Sequence, residues 1–499
     1  MIHPMKRLLV FFAVVMLAAV CRPAWYFIAA MPDTKQARVV VVLEDGDTAT
    51  EFRMPGWAPG DYEMFNYGKK IEQVKFSLNG EQVTAKKGSD VNLWTIEGGA
   101  NVVEYIVNES RGTFSPNLRV TQDEMFVSGP GVFGWFAGHA DEKQTLHVML
   151  NTESAKVACS LDPIDPMQGA ASYSAVNYDE LIDSPIVVGD NVRIHEFEVH
   201  GKSHAIVGYN KSGGVDLKKF EDNARKVVEE AFKLFGELPY DRYYFMFDFG
   251  GPGGGLEHLD STRIGISRRA SARQARSIMF HEYFHTFNVK RIRDKALKPF
   301  DYTKPAVTGA LWWFEGVTSY YAAVFACRAG LISQQEFMNS MGRGLTSLVR
   351  NRQFLEVSAY ESSRRVWEAR GSRGYGISYY AKGQNVGIVL DLAIRGFSNG
   401  KYSLDNVMHD LYKETVNGPG FAEDRIRQLC IQYGGEQLGE VYDAAVMRPG
   451  PVPITQPMLL TALKMTVGGF KINDIASDAA RSIGEVWPFA VPKTPPGNR

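Results

Sequence analysis

The chain reads as a multidomain α+β protein, with a β-sandwich-like N-terminal domain followed by a mainly helical domain. Three observations predict this. Short β-branched runs separated by turn residues fill about residues 31–200. Near residue 215 the apolar spacing changes from a strand period to a helix period. The length, 499 residues, exceeds what a single domain usually holds.

The elements follow in chain order. Lys6 and Arg7 precede an apolar run from Leu8 to Val20, which Arg22 and Pro23 interrupt. A basic segment followed by a short apolar one is the pattern of a secretory signal peptide, expected over residues 1–24. The run is too short to span a bilayer comfortably. Membrane contact is therefore expected only through this segment, as a signal or an anchor, in a secreted or periplasmic protein.

A β domain is expected over residues 25–205. Its strands include 39–43, 74–78, 102–107 and 146–150, separated by turn material such as Asn79-Gly80 and Gly129-Pro130-Gly131. A second domain is expected over 206–450. It opens with a helix at 217–235, then a strand at 243–249 that enters the glycine-rich turn 250–255. That turn lacks a phosphate-loop pattern, so it is expected to turn tightly or to let the backbone approach a ligand. Helices follow at about 272–291, 311–329, 334–350, 380–395 and 404–414. Residues 451–499 are expected to form a loosely ordered C-terminal tail.

Composition excludes some functions. The formal net charge is -1, with 45% apolar and 22% charged residues, so no nucleic-acid partner is expected. Of four cysteines, Cys21 lies in the leader segment. Cys159, Cys327 and Cys430 are too few for a disulfide scaffold and form no C-x-x-C, so buried thiols are expected. The basic run Lys290, Arg291, Arg293 and Lys295 is expected to be a solvated helix end, or else a contact for a substrate carboxylate.

Chemistry concentrates at residues 281–285, His-Glu-Tyr-Phe-His. Two histidines four apart share one face of a helix, so both imidazoles reach one metal ion. Glu282 lies beside the first histidine, where it can take a proton from an activated water. A catalytic zinc usually has three protein ligands. Glu315, embedded in Trp-Trp-Phe-Glu-Gly-Val-Thr-Ser-Tyr-Tyr, is the candidate for the third, because a carboxylate among so many aromatics is costly to bury unless paired or ligated.

With these residues the chain resembles the gluzincin arrangement of thermolysin-like and aminopeptidase-N-like enzymes. More specifically, it resembles the glycyl aminopeptidase family, M61. The resemblance rests on Gly254-Gly255-Leu256-Glu257-His258, on residues 281–293 and on residues 314–321. Residues 178–185 resemble that family's junction between its β domain and catalytic domain. The likeness spans about residues 30–460.

The resemblance implies a thermolysin-like catalytic domain holding one zinc ion (Zn2+) per chain. It implies that Gly255 and Glu257 belong to a substrate-binding motif whose carboxylate anchors a free α-amine. Tyr380, in Tyr380-Ala381-Lys382-Gly383, is implied as a donor to the developing oxyanion, and the adjacent Tyr379 leaves that assignment open between the two. The expected function is a zinc-dependent aminopeptidase that removes small N-terminal residues, Gly or Ala, from peptides. The alternatives are a zinc endopeptidase on the same scaffold and an inactive peptide-binding homologue. Family members commonly end in a PDZ domain, and the roughly fifty residues after Pro449 imply that it is absent or truncated.

Overall fold

The computed structural model describes residues 24–110, 117–368, 378–466 and 468–490. The expected signal peptide lies outside the described residues, apart from Ala24. Ala24 is a buried strand residue, paired with Leu43 and Gln144. Among the described residues no helix is long and apolar enough to cross a membrane.

The N-terminal domain is rich in sheet. An eight-stranded sheet packs against two four-stranded sheets. The alternation of strand side chains explains its core. In Gln36–Leu43, Val39, Val41 and Leu43 face the main core, while Val40 and Val42 face a small second cluster with Phe27. A run apolar on both faces therefore suits a central strand, and this one lies between Ala24–Met31 and Val102–Asn108.

The second domain begins with a five-stranded sheet. Its strand order is Arg193–Val199, Lys202–Tyr209, Arg242–Asp248, Ser261–Gly265 and Gly254–Glu257. The expected boundary at 205/206 cuts the second of these strands. Both strands of that hairpin have the same β character as the domain before them, so composition does not reveal which sheet they join. The junction falls between Ile186–Gly189, which pairs within the N-terminal domain, and Arg193. Phe126 stacks on Tyr209 across the junction, with ring centroids 5.5 Å apart.

Helices cover one face of this sheet and form the rest of the domain. The helix Ala272–Phe284 starts at a capping box, Ser271 with Gln274. It ends at His285 rather than near residue 291, because the chain turns at 285–292 and Lys290 N donates to the His285 carbonyl. The expected helix at 311–329 has two parts, a π-helical turn Trp312–Val317 and an α-helix Thr318–Arg328. The helix Tyr379–Phe397 is almost entirely buried.

The segment after residue 450 is not a loose tail as far as Ala490. It forms a helix (Thr455–Leu460), a hairpin (Leu463–Thr466 with Gly469–Ile472) and a helix (Asp478–Glu485). Trp487, fully buried, donates its indole N–H to Tyr320 Oη and Asp391 Oδ2 at 3.0 Å each. Sparse apolar spacing hides this, because the segment borrows the second domain's core instead of building its own. Cys159, Cys327 and Cys430 are buried and unbridged.

Candidate active site and metal centre

Three elements converge at one point. The helix Ala272–Phe284 ends by presenting His281, Glu282 and, at its cap, His285. The π-helical turn presents Glu315. The antiparallel edge strand Gly254–Glu257 runs beside them.

His281 Nε2 and His285 Nε2 are 3.0 Å apart, and each lies 3.3 and 3.2 Å, respectively, from Glu315 Oε2. A tetrahedral ion with bonds of about 2.0–2.1 Å separates its donors by roughly 3.3 Å. Two imidazoles and a carboxylate on edges of this length fit a zinc ion. A second group of donors, from Glu257, Glu282 and His285, lies within 4.8 Å of one another.

The orientation of these groups has local causes. His285 Nδ1 donates to the Asn288 carbonyl at 2.8 Å, which leaves Nε2 free to face Glu315. Asn288 Nδ2 donates to the Trp313 carbonyl and to Thr318 Oγ1, both at 3.0 Å. One buried side chain thus ties the histidine turn to the turn that carries Glu315. Ser319 Oγ sits 3.3 Å from His281 Nδ1 and donates to the Glu315 carbonyl at 3.0 Å. Neither Asn288 nor Ser319 was legible in the sequence as a site residue, although Ser319, four residues after Glu315, had the spacing to be found.

Glycines set the close approaches. A Cβ at Gly255 would lie 2.3 Å from Glu282 Cδ, so the glycine-rich strand approaches this carboxylate directly. A Cβ at Gly316 would lie 2.3 Å from Gly383 Cα, and one at Gly383 would lie 2.2 Å from the Trp312 carbonyl oxygen. The Glu315 turn and the helix Tyr379–Phe397 therefore cross backbone to backbone. That crossing brings Tyr380 to the site, with its ring centroid 5.9 Å from that of His281. Tyr379 is buried beside it. Lys382 points away, donating Nζ to the Phe354 and Val357 carbonyls.

Burial and charge oppose each other here. Burial lowers the pKa of both imidazoles, and at His281 it prevails. At His285, Glu315, Glu257 and Glu282 outweigh burial and hold the ring up to about 10. Burial pushes Glu315 up, yet His285 and His281 hold it below the usual carboxylate range. Glu282 is raised well above that range, by burial first and then by Glu257 and Glu315 against His285. Burial and the same carboxylates keep the Tyr380 phenol protonated and able to donate.

Three of the four residues of the basic run are engaged within the protein rather than solvated at a helix end, while Lys295 is exposed. Lys290 is buried and pairs with Asp183 at 2.9 Å. Arg291 bonds the carbonyls of Leu259, Thr286 and Pro239 and the Asp260 carboxylate. Arg293 lies over the Phe300 ring. Asp183 also accepts from the Leu259 backbone N–H at 2.9 Å and pairs with His258 at 3.2 Å. These cations hold the loops around the site.

Comparison with known proteins agrees with this architecture. The M61 glycyl aminopeptidase profile matches residues 274–386, and the M61 N-terminal domain profile matches residues 26–190. The chain belongs to the M61 peptidase family. The solved structure of an aminopeptidase N family protein from Idiomarina loihiensis is 26% identical, with a TM-score of 0.81 over 88% of this chain and 78% of that one. An M1 zinc metallopeptidase from Deinococcus radiodurans is 12% identical, with a TM-score of 0.55 over 87% of this chain and 95% of that one. A two-domain M1 zinc metallopeptidase variant bound to L-arginine has the same TM-score at 11% identity, over 87% of this chain and 96% of that one. At that identity the M1 structures share the fold alone. No curated protein matches the chain. The M61 family and its aminopeptidase-like neighbours make this chain a peptidase.

Proposed function

We propose that this M61 protein is an exported zinc aminopeptidase that removes small N-terminal residues from peptides. The observation that carries the reading is the triangle of His281, His285 and Glu315 donors, with edges of 3.0 to 3.3 Å, facing Glu282. The solved M1 neighbours, named as zinc metallopeptidases, support the choice of metal. Zinc held by these three groups would supply Lewis acidity to a water molecule and to the scissile carbonyl.

The remaining chemistry belongs to this chain's own residues. Glu282, held against Gly255, takes a proton from the attacking water and delivers it to the leaving amine. Tyr380 donates its phenolic hydrogen to the oxyanion on the scissile carbonyl. Glu257, buried beside the site, anchors the α-amine of the substrate. The Lys6-to-Val20 segment supports export.

Hydrolysis of alanyl-4-nitroanilide tests the reading. Dialysis against a chelator is expected to abolish it, and one equivalent of zinc to restore it. Glu282→Gln is expected to slow kcat by roughly 10²–10⁴-fold, the range lost with a general base. Undiminished hydrolysis by metal-free protein would sink the proposal.

A further inference from the structure

Lys382 is fully buried, yet among the described residues its ammonium forms no ion pair. Nζ donates instead to two backbone carbonyls, that of Phe354 at 3.1 Å and that of Val357. It also lies over the Phe354 ring, 4.8 Å from the centroid. Burial brings its pKa down to about 8. A buried cation without a counter-charge is costly, and an apolar side chain of similar length would avoid that cost. Filling space therefore does not account for a lysine at this position.

The two carbonyls belong to a segment that also grips the other half of the site. It contains the turn Arg352–Leu355 and the helix Ala359–Arg364. Ser363 Oγ accepts from Trp312 N at 2.9 Å, at the start of the turn that carries Glu315. Lys382 ties the same segment to the first turn of the helix Tyr379–Phe397. Residues two apart on a helix point roughly 200° apart. Tyr380 faces His281, so Lys382 fastens the opposite side of that turn. The backbone crossing of Gly383 with Trp312 holds the turn at a third point.

We propose that Lys382 is a positioning residue for Tyr380: its grip on the Phe354 and Val357 carbonyls sets the rotation of the first helical turn, and with it the aim of the phenol beside His281. The inference rests on the oxyanion role proposed for Tyr380 and adds the group that holds it in place.

Hydrolysis of alanyl-4-nitroanilide by the zinc-loaded full-length protein tests it, in a cycle of Lys382→Met and Tyr380→Phe. Tyr380→Phe is expected to lower kcat by about 10²–10³-fold, the loss of one oxyanion donor. Lys382→Met is expected to lower kcat roughly tenfold or more, because misplacement by about 1 Å costs up to 10²-fold. KM and zinc content should stay within twofold. In the Tyr380→Phe background Lys382→Met should cost nothing further, because the group it positions no longer donates. Lys382→Gln keeps two N–H donors on a shorter, neutral chain and should show an intermediate rate. It also carries the same cycle if Lys382→Met does not fold. Unchanged kcat in both Lys382 variants, alongside its loss in Tyr380→Phe, would overturn the positioning role and leave the oxyanion reading standing. Equal losses in the two backgrounds would also overturn it, assigning Lys382 a purely structural role. Full activity in Tyr380→Phe would remove the oxyanion role and this inference with it.

Discussion

At Gly255 a single hydrogen decides where Glu282, the proposed general base, sits. A methyl group there would lie 2.3 Å from Glu282 Cδ, far inside van der Waals contact. Gly255 belongs to an edge strand paired to Ile264, and Glu282 belongs to a capped helix, so either the carboxylate or the strand must move. Misplacement of a reacting group by about 1 Å costs roughly 10²-fold in rate. Gly255→Ala is therefore expected to lower kcat on alanyl-4-nitroanilide by about that factor while the protein still folds, as judged by circular dichroism. A rate within twofold of the unaltered protein would refute the contact. The sequence made some of this site legible and hid the rest. His281, Glu282 and His285 lie within one helical turn, so spacing alone exposed them. Glu315 stood out as a carboxylate among aromatics. Asn288 did not, because what it does depends on a contact with a residue 25 positions away, Trp313. The sequence alone leaves Tyr379 and Tyr380 open as donors, and the ring contact of Tyr380 with His281 is what favours Tyr380.

Between elements, position is set by backbone crossings and by one carboxylate. Gly316 and Gly383 let the Glu315 turn and the helix Tyr379–Phe397 touch, so the two helical elements meet at the site. Asp183 works across the domain junction, holding the Leu259 N–H, His258 and Lys290 together. Lys290 is almost fully buried, with 2% of its side chain exposed, so removal of its counter-charge strands it. Asp183→Asn is expected to cost about 3–5 kcal/mol, the usual loss when one partner of a buried pair is removed. Urea unfolding monitored by fluorescence checks this, and a loss under about 1 kcal/mol would contradict it. The pH dependence follows from the same contacts. Burial raises the Asp183 pKa, but Lys290 and His258 outweigh it and hold the folded value below the ordinary 3.8. A depressed carboxylate stabilises the fold above its unfolded pKa, and this contribution is lost as pH falls through the folded one. Stability from Asp183 should therefore persist down to about pH 4 and decline only below it, a decline that Asp183→Asn should lack. The helix that carries the histidines read as longer than it is because Phe287 and Ile292 extend its apolar spacing past the point where the chain turns. Apolar spacing records burial, and both residues are buried in the loop.

Across the whole molecule, the least legible feature is the segment after residue 450. Its strands and helices are short, and among the described residues it has no apolar core of its own. It is held instead by a few large contacts with the catalytic domain. Trp487 packs on Phe337 and Phe470, with ring centroids 4.9 and 5.7 Å away. Its indole N–H meets Tyr320 Oη and Asp391 Oδ2, and Asp391 pairs with Arg395 at 3.1 Å. Tyr320 follows Ser319, the residue beside His281, so the far end of the chain supports the helix that continues from Glu315. Trp487→Ala would leave a large cavity and remove a donor from a buried polar cluster. Truncations of buried aromatics cost about 3–5 kcal/mol. If the segment is part of the catalytic domain, guanidinium unfolding should show a single transition displaced by that amount. If it were an appendage, the same change would cost less than about 0.5 kcal/mol, the range of ordinary surface substitutions. Phe337 lies on the helix Gln334–Val349 and Phe470 on the hairpin, so the loss should also loosen the hairpin. Amide exchange within Gly469–Ile472 should then quicken in Trp487→Ala, whereas exchange in the eight-stranded N-terminal sheet should not.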